Sequence, residues 1–354
     1  MVIKTLERVS KNYYYIIRGR KIEKEWNLRQ IGNMALIVGV FAIFLVGICF
    51  VRFSKAYVNA FIGNYTGIEE VLATMKGGAA TDAAKRELLA CQNDYDAWKE
   101  QHQGERVTLQ TEDNIRLSGL LYDQGGKETV VYLHNIGSAA GEDFYYAPWY
   151  WEKGYNILMP DNRAHGESEG NCASYGLYEG KDVNQWLQLI CEKYGEDSRI
   201  IVHGDTLGAA AALMASADYP EQVAFTVAES PVANLYDAAE YMMKNQFSSI
   251  PLFLWIGDWY SYKEYGFHLK DVDLSDAVQE SDTPLLILCG SKDTVVDPEN
   301  AVSIQKASGA DCQILGIEDG THGLLYAKHS DEIKQSIDRF IGEYINNQQQ
   351  LVVK

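Results

Sequence analysis

Residues 199–217 read RIIVHGDTLGAAAALMASA. Ile200, Ile201 and Val202 form an unbroken apolar run, the pattern of a strand covered on both faces. Ala209, Ala210, Ala211 and Ala212 are small and helix-favouring. Between them, Gly204-Asp205-Thr206-Leu207-Gly208 fits G-x-S-x-G except at its centre, where threonine replaces serine. Such a turn needs small residues on both sides, because it is tight and the helix packs close to the strand. It lifts the central hydroxyl above the sheet, at the positive end of the helix. The same residues also fit an ordinary strand-to-helix turn with Thr206 as N-cap.

The flanking sequence repeats the alternation. TVVYLH (129–134), NILMP (156–160), VAFTVAE (223–229), PLLILCG (284–290) and CQILGI (312–317) read as strands. Between them, Val183, Trp186, Leu187 and Ile190 fall at helical spacing, as do Ile333, Ile337, Phe340 and Ile341. VTLQT (107–111) and IRLSGLL (115–121) alternate around a TEDN turn and predict an antiparallel hairpin. The pattern predicts a mainly parallel sheet with helices on both faces, whose site lies at the C-terminal strand ends.

Two residues at such ends complete a nucleophile–acid–base order. Asp293 follows PLLILCG, and His322 lies in EDGTHG after CQILGI. An aspartate there can receive a histidine N–H, and the histidine can deprotonate Thr206. After TVVYLH comes His134-Asn135-Ile136-Gly137-Ser138. The backbone N–H groups of Ile136 and Leu207 are the candidates for an oxyanion hole. His134 and His203 end strands and are expected to satisfy buried backbone groups. His165 lies in PDNRAHGESEG, and His102, His268 and His329 have no clustered partners. No metal-ligand spacing is evident and no cofactor is implied.

In YLHNIGSAAGED, WEKGYNILMPDNRAHGESEG, KYGEDSRIIVHGDTLGAA, GSKDTVVDPENA and DGTHG, residues 106–345 resemble the bacterial α/β hydrolases related to serine aminopeptidases. That group often carries an N-terminal membrane helix. The resemblance implies an α/β-hydrolase fold over residues 105–347, with a helical cap at about 231–280. It implies a triad of Thr206, Asp293 and His322, with Gly204 and Gly208 shaping the elbow. Two positions depart from it: Thr206 stands where the group has serine, and His134-Asn135 where it has His-Gly. The elbow backbone is usually strained, and a β-branched side chain tolerates that poorly.

Gln30–Val51 is 22 residues without a charge, long enough for a hydrocarbon core of roughly 30 Å. A preceding segment of about 29 residues and a long apolar run fit a signal anchor better than a cleaved signal peptide. Residues 1–51 carry eight Lys/Arg and three Asp/Glu, leaving 23 basic and 46 acidic residues in 52–354. The basic flank predicts a single-pass cell-membrane protein with residues 1–29 inside, a membrane helix over 30–51 in contact with lipid, and the rest outside. Residues 52–104 are expected to form a helical stalk, broken at KGGAAT (76–81). A body so acidic excludes nucleic acid as a partner. No CxxC occurs among the six cysteines, and whether Cys172 and Cys191 pair is open.

Two functions from different classes fit. One is acyl hydrolysis of an ester, thioester or amide in a small molecule or peptide through a covalent intermediate on Thr206, or acyl transfer through the same intermediate. The other is an inactive descendant that keeps fold and pocket as a membrane-tethered binding module.

Overall fold

The computed structural model describes residues 14–17, 20–23, 28–63, 82–247 and 251–346. It forms two compact units, Met1–Phe53 and Ser54–Lys354. The first contains a hairpin that the sequence did not predict, β1 (Tyr14–Ile17) paired antiparallel with β2 (Arg20–Glu23). Helix α1 (Leu28–Phe61) begins in the first unit and continues into the second. Its stretch Gly32–Ala56, which holds 18 consecutive residues of mean hydropathy 3.0, is long and apolar enough to cross a membrane.

The second unit continues with α2 (Asp82–Gln101), β3 (Glu105–Gln110), β4 (Arg116–Tyr122), β5 (Glu128–Leu133), α3 (Ala147–Glu152) and β6 (Asn156–Pro160). Next come α4 (Glu179–Tyr194), β7 (Arg199–Asp205), α5 (Leu207–Ala215) and β8 (Val223–Glu229). The chain then forms α6 (Leu235–Phe247), α7 (Pro251–Tyr265), α8 (Ser275–Glu280), β9 (Leu285–Gly290), α9 (Glu299–Ala307), β10 (Cys312–Ile317) and α10 (Leu325–Phe340).

Strands β3 to β10 make one eight-stranded sheet in the order β10-β9-β8-β7-β5-β6-β4-β3. β3–β4 and β4–β6 are antiparallel, and every other pair is parallel. Successive residues of a strand face opposite sides. Val130, Ile157 and Ile201 therefore enter one core cluster, and Val131, Leu158 and Val202 another. The second core is closed by Trp186, Leu187 and Ile190 of α4, at the predicted helical spacing. The first is closed by Ile333, Ile337 and Phe340 of α10. Both faces are covered, which is why the central strands read as apolar runs rather than as alternations.

Two expectations change. The expected stalk is not free-standing where it is described. Tyr95 and Trp98 of α2 are buried in the core beside Tyr122, and the Tyr95 hydroxyl meets Met159 Sδ at 3.6 Å. At the end of α1, Val58 and Ile62 are buried as well. Apolar side chains thin in number but large in area hold this region to the domain. The break expected at 76–81 lies outside the described residues. Helices α6 and α7 form the cap over the strand ends, whereas α8, inside the expected cap range, packs on α5 and α9.

Candidate active site

The turn from β7 into α5 is built by the two glycines. A Cβ at Gly204 would run into the Gly208 carbonyl, and one at Gly208 into the Leu133 carbonyl at the end of β5. No side chain larger than hydrogen fits either position without moving backbone. The close approach forces Thr206 to φ 45°, ψ −90°, a left-handed conformation that costs a β-branched residue about 1–3 kcal/mol. Thr206 occupies the N-cap position of α5, and its carbonyl accepts the Ala210 N–H at 3.0 Å, but its side chain makes no capping bond. Its hydroxyl donates to Asp205 Oδ1 at 2.8 Å. Among the described residues, no hydrogen bond joins it to His322.

The structure brings Asp293 and His322 together. His322 Nδ1 lies 2.8 Å from Asp293 Oδ2. Asp293 Oδ2 also accepts from the Ser230 hydroxyl at 3.4 Å, and Oδ1 accepts the N–H groups of Val295 and Val296 at 2.8 and 2.9 Å. The carboxylate is buried and anchored on both oxygens. With Nδ1 engaged, Nε2 is the imidazole nitrogen available to the cavity. Burial alone would lower the His322 pKa. The charge and hydrogen bond of Asp293, with Asp205 and Glu229, outweigh it and raise the pKa to about 9.

The expected oxyanion donors converge on one oxygen, and that oxygen is the protein's own. Ile136 N–H donates to Asn135 Oδ1 at 2.7 Å, and Leu207 N–H lies 3.5 Å from the same atom. The loop is fixed from behind. Buried His134 accepts Asn162 N–H on Nε2 and lies 2.7 Å from the Asn135 carbonyl through Nδ1. Burial, with His165 nearby, lowers its pKa to about 3, so His134 is neutral.

An acidic pair at the elbow, half-buried Asp205 and buried Glu229, was missed. Asp205 ends β7 and Glu229 ends β8, and the two are register partners. Burial pushes both carboxyls up against the opposing charge of His322; Asp143 and Asp293 add to this at Asp205, and Asp205 adds to it at Glu229, which reaches about 8. Glu229 also accepts the Tyr146 hydroxyl at 2.8 Å. The available signal was a charged residue closing each of two apolar strands; Asp205 was read only as part of the GDTLG turn and Glu229 only as a strand end.

Thr206, His322 and Asn135 line a cavity of about 840 Å³ under the cap. Its other walls include Met243 of α6, Phe253 and Leu254 of α7, and Val58 of α1. Only a few polar groups face a mostly apolar chamber, as small-molecule sites commonly require.

The remaining histidines do not line this cavity. His203 meets the Tyr150 hydroxyl at 3.3 Å rather than a backbone group. His268 pairs with Asp258 at 2.9 Å, His102 meets the Trp98 carbonyl at 2.7 Å, and His329 lies 4.0 Å from Glu332. Cys172 and Cys191 are both free thiols. In the NRAHGESEG segment Arg163 makes a bidentate buried pair with Asp182, both contacts at 2.7 Å.

A mainly parallel sheet with an elbow after a central strand, and an Asp–His pair on the loops after two later strands, defines an α/β hydrolase. The model of the prolyl oligopeptidase family matches residues 142–348, and the chain belongs to that family. The sequence pointed to the serine aminopeptidase-related branch; the match shows the prolyl oligopeptidase family. YqkD of Bacillus subtilis is 24% identical over 216 residues, covering 60% of this chain and 70% of that protein. The α/β hydrolase domain-containing protein WAV2 of Arabidopsis thaliana is 24% identical over 230 residues, 62% of this chain and 72% of its own length. Among solved structures, the Pyrococcus furiosus esterase Pf2001 is similar at a TM-score of 0.56 and 25% identity, covering 71% of this chain and 95% of that one.

Proposed function

We propose that the protein hydrolyses an ester, thioester or amide through an acyl-enzyme on Thr206. Neutral His322 takes the Thr206 proton on Nε2 as Oγ1 attacks the acyl carbon. The carbonyl oxygen, now negative, lies between the N–H groups of Ile136 and Leu207. Collapse expels the alcohol, thiol or amine, which His322 protonates. Water, deprotonated by His322, then releases the acid and restores Thr206. Asp293 holds the imidazole tautomer throughout.

The observation that carries this reading is the convergence of the Ile136 and Leu207 N–H groups on one oxygen position. Two donors from separate loops aimed at one point are what a developing oxyanion requires. Two rotations precede chemistry: Thr206 Oγ1 turns from Asp205 toward His322, and the Asn135 carboxamide leaves the donors.

A second reading, an inactive hydrolase acting as a membrane-tethered binding module for a ligand or protein, is favoured by the Thr206–Asp205 bond and by threonine at φ 45°. Hydrolysis of a short-chain p-nitrophenyl ester separates the two. Thr206→Ala abolishes turnover and Thr206→Ser preserves or raises it on the first reading. Equal turnover by the wild type and Thr206→Ala rules the mechanism out.

Gly32–Ala56 is proposed as a lipid-embedded anchor with the N-terminus inside and the hydrolase domain outside, from the basic flank before it. Protease treatment of intact cells tests the orientation; a domain that stays protected overturns it.

A further inference from the structure

Helix α7 wears its large apolar side chains on the outside. Leu252, Trp255, Trp259 and Tyr262 are 51%, 65%, 49% and 54% exposed. Their spacing of three, four and three residues places them on one helical face. Tyr262 is stacked on His268 by one ring face and still stands half in solvent. The opposite face holds buried Leu254, Gly257 and Tyr260. The stripe itself carries no charge, and Asp258 is turned inward to His268 and the Leu269 N–H. An exposed row of this size is unusual on a soluble surface and marks a contact.

What lies beside it identifies the contact. The Tyr265 hydroxyl donates to Asn59 Oδ1 at 2.8 Å, Lys55 Nζ sits 4.8 Å from the Tyr260 ring centre, and Val58 lies against Gly257. Lys55 falls within the apolar stretch that ends at Ala56, and Val58 and Asn59 follow it directly. At ~1.5 Å per helical residue, α7 is packed within about 5 Å of the end of that stretch. The headgroup layer on each side of a bilayer is roughly 5–8 Å deep. Tryptophan and tyrosine are the side chains that prefer this layer.

We propose that α7 is a second membrane contact, lying in the bilayer surface with Leu252, Trp255, Trp259 and Tyr262 inserted among the lipids. The inference rests on the anchor reading of Gly32–Ala56 and is independent of the chemistry at Thr206. The contact is apolar: a body with 46 acidic against 23 basic residues over 52–354 gains nothing from anionic lipid, so zwitterionic lipid is sufficient. Because Phe253 and Leu254 of the same helix line the cavity, membrane surface and cavity share one wall.

The test uses the full chain in phosphatidylcholine nanodiscs, with tryptophan fluorescence quenched by bromine-labelled acyl chains or by aqueous iodide. The comparison protein is Trp255→Phe/Trp259→Phe, conservative enough to keep the fold, with thermal unfolding as the check. The expected result is bromolipid quenching in the wild type, more than half of it lost in the double variant, with little iodide access to these two residues. Equal bromolipid quenching in both proteins, or iodide quenching of Trp255 and Trp259 in the disc, overturns the proposal while leaving the anchor intact. Shielding from both quenchers together with a crosslinked dimer overturns it in favour of a second copy of the chain. Failure of the chain to enter nanodiscs at all overturns the anchor and this inference together.

Discussion

On the β9–β10 side of the site, His322 and Asp293 already hold the geometry that a general base needs, with both carboxylate oxygens engaged. On the β5–β7 side the groups that would meet substrate are satisfied from within. Thr206 donates to Asp205, and Asn135 Oδ1 takes the place of an oxyanion. The two halves sit on the same rigid sheet, so the difference comes from side chains rather than scaffold. Where the chain keeps aspartate and histidine, the site is preorganised. Where it carries threonine and asparagine, three local hydrogen bonds stand in the way of the proposed chemistry.

The largest effect should come from breaking the ordered half. His322→Ala is expected to lower kcat for an activated ester by at least about a thousandfold, and Asp293→Asn by a similar factor, because the base or its tautomer is lost. A loss of less than tenfold in both, measured at saturating ester, would show that the ordered half is not the base.

Next is pH. In the proposed mechanism His322 must be neutral, and its pKa is raised to about 9. At pH 7 only about 1% is then neutral and at pH 9 about half, so kcat/KM should rise about fiftyfold between pH 7 and 9 and level off above about pH 10. Glu229→Gln removes one of the negative charges that raise it and should move this limb to lower pH. A profile flat from pH 6 to 9 contradicts the assignment.

Thr206→Ser acts on the half whose groups are satisfied from within. It removes the methyl and the β-branch at φ 45°, and is expected to raise kcat about tenfold, of the order that relief of backbone strain allows. Asn135→Gly should give the smallest change, a rise of a few-fold in kcat/KM, because an internal acceptor that competes with substrate is gone. Lower turnover in Asn135→Gly would mean instead that the carboxamide assists the reaction.

The strands were legible because burial on both faces leaves only apolar residues, and the elbow because Gly204 and Gly208 admit no side chain. Asp293 and His322 were legible from chain order after successive strands. What the sequence concealed were contacts made by side-chain rotation or by tertiary packing. Nothing in GDTLG says that the hydroxyl turns to Asp205. Asn135 could be seen as a departure, but not as an acceptor for its neighbour's N–H. Asp205 looked like a turn residue and Glu229 like a strand end until register placed them side by side. Helix α2 looked like a stalk because its apolar stripe is thin, although Tyr95 and Trp98 suffice to bury it.

The most direct test of Thr206 as nucleophile is a fluorophosphonate reaction at pH 9, followed by intact mass and peptide mapping. The account predicts one adduct, on the peptide bearing Thr206, absent from Thr206→Ala and formed faster in Thr206→Ser. An adduct on another residue, or ester hydrolysis that persists undiminished in Thr206→Ala, would contradict it.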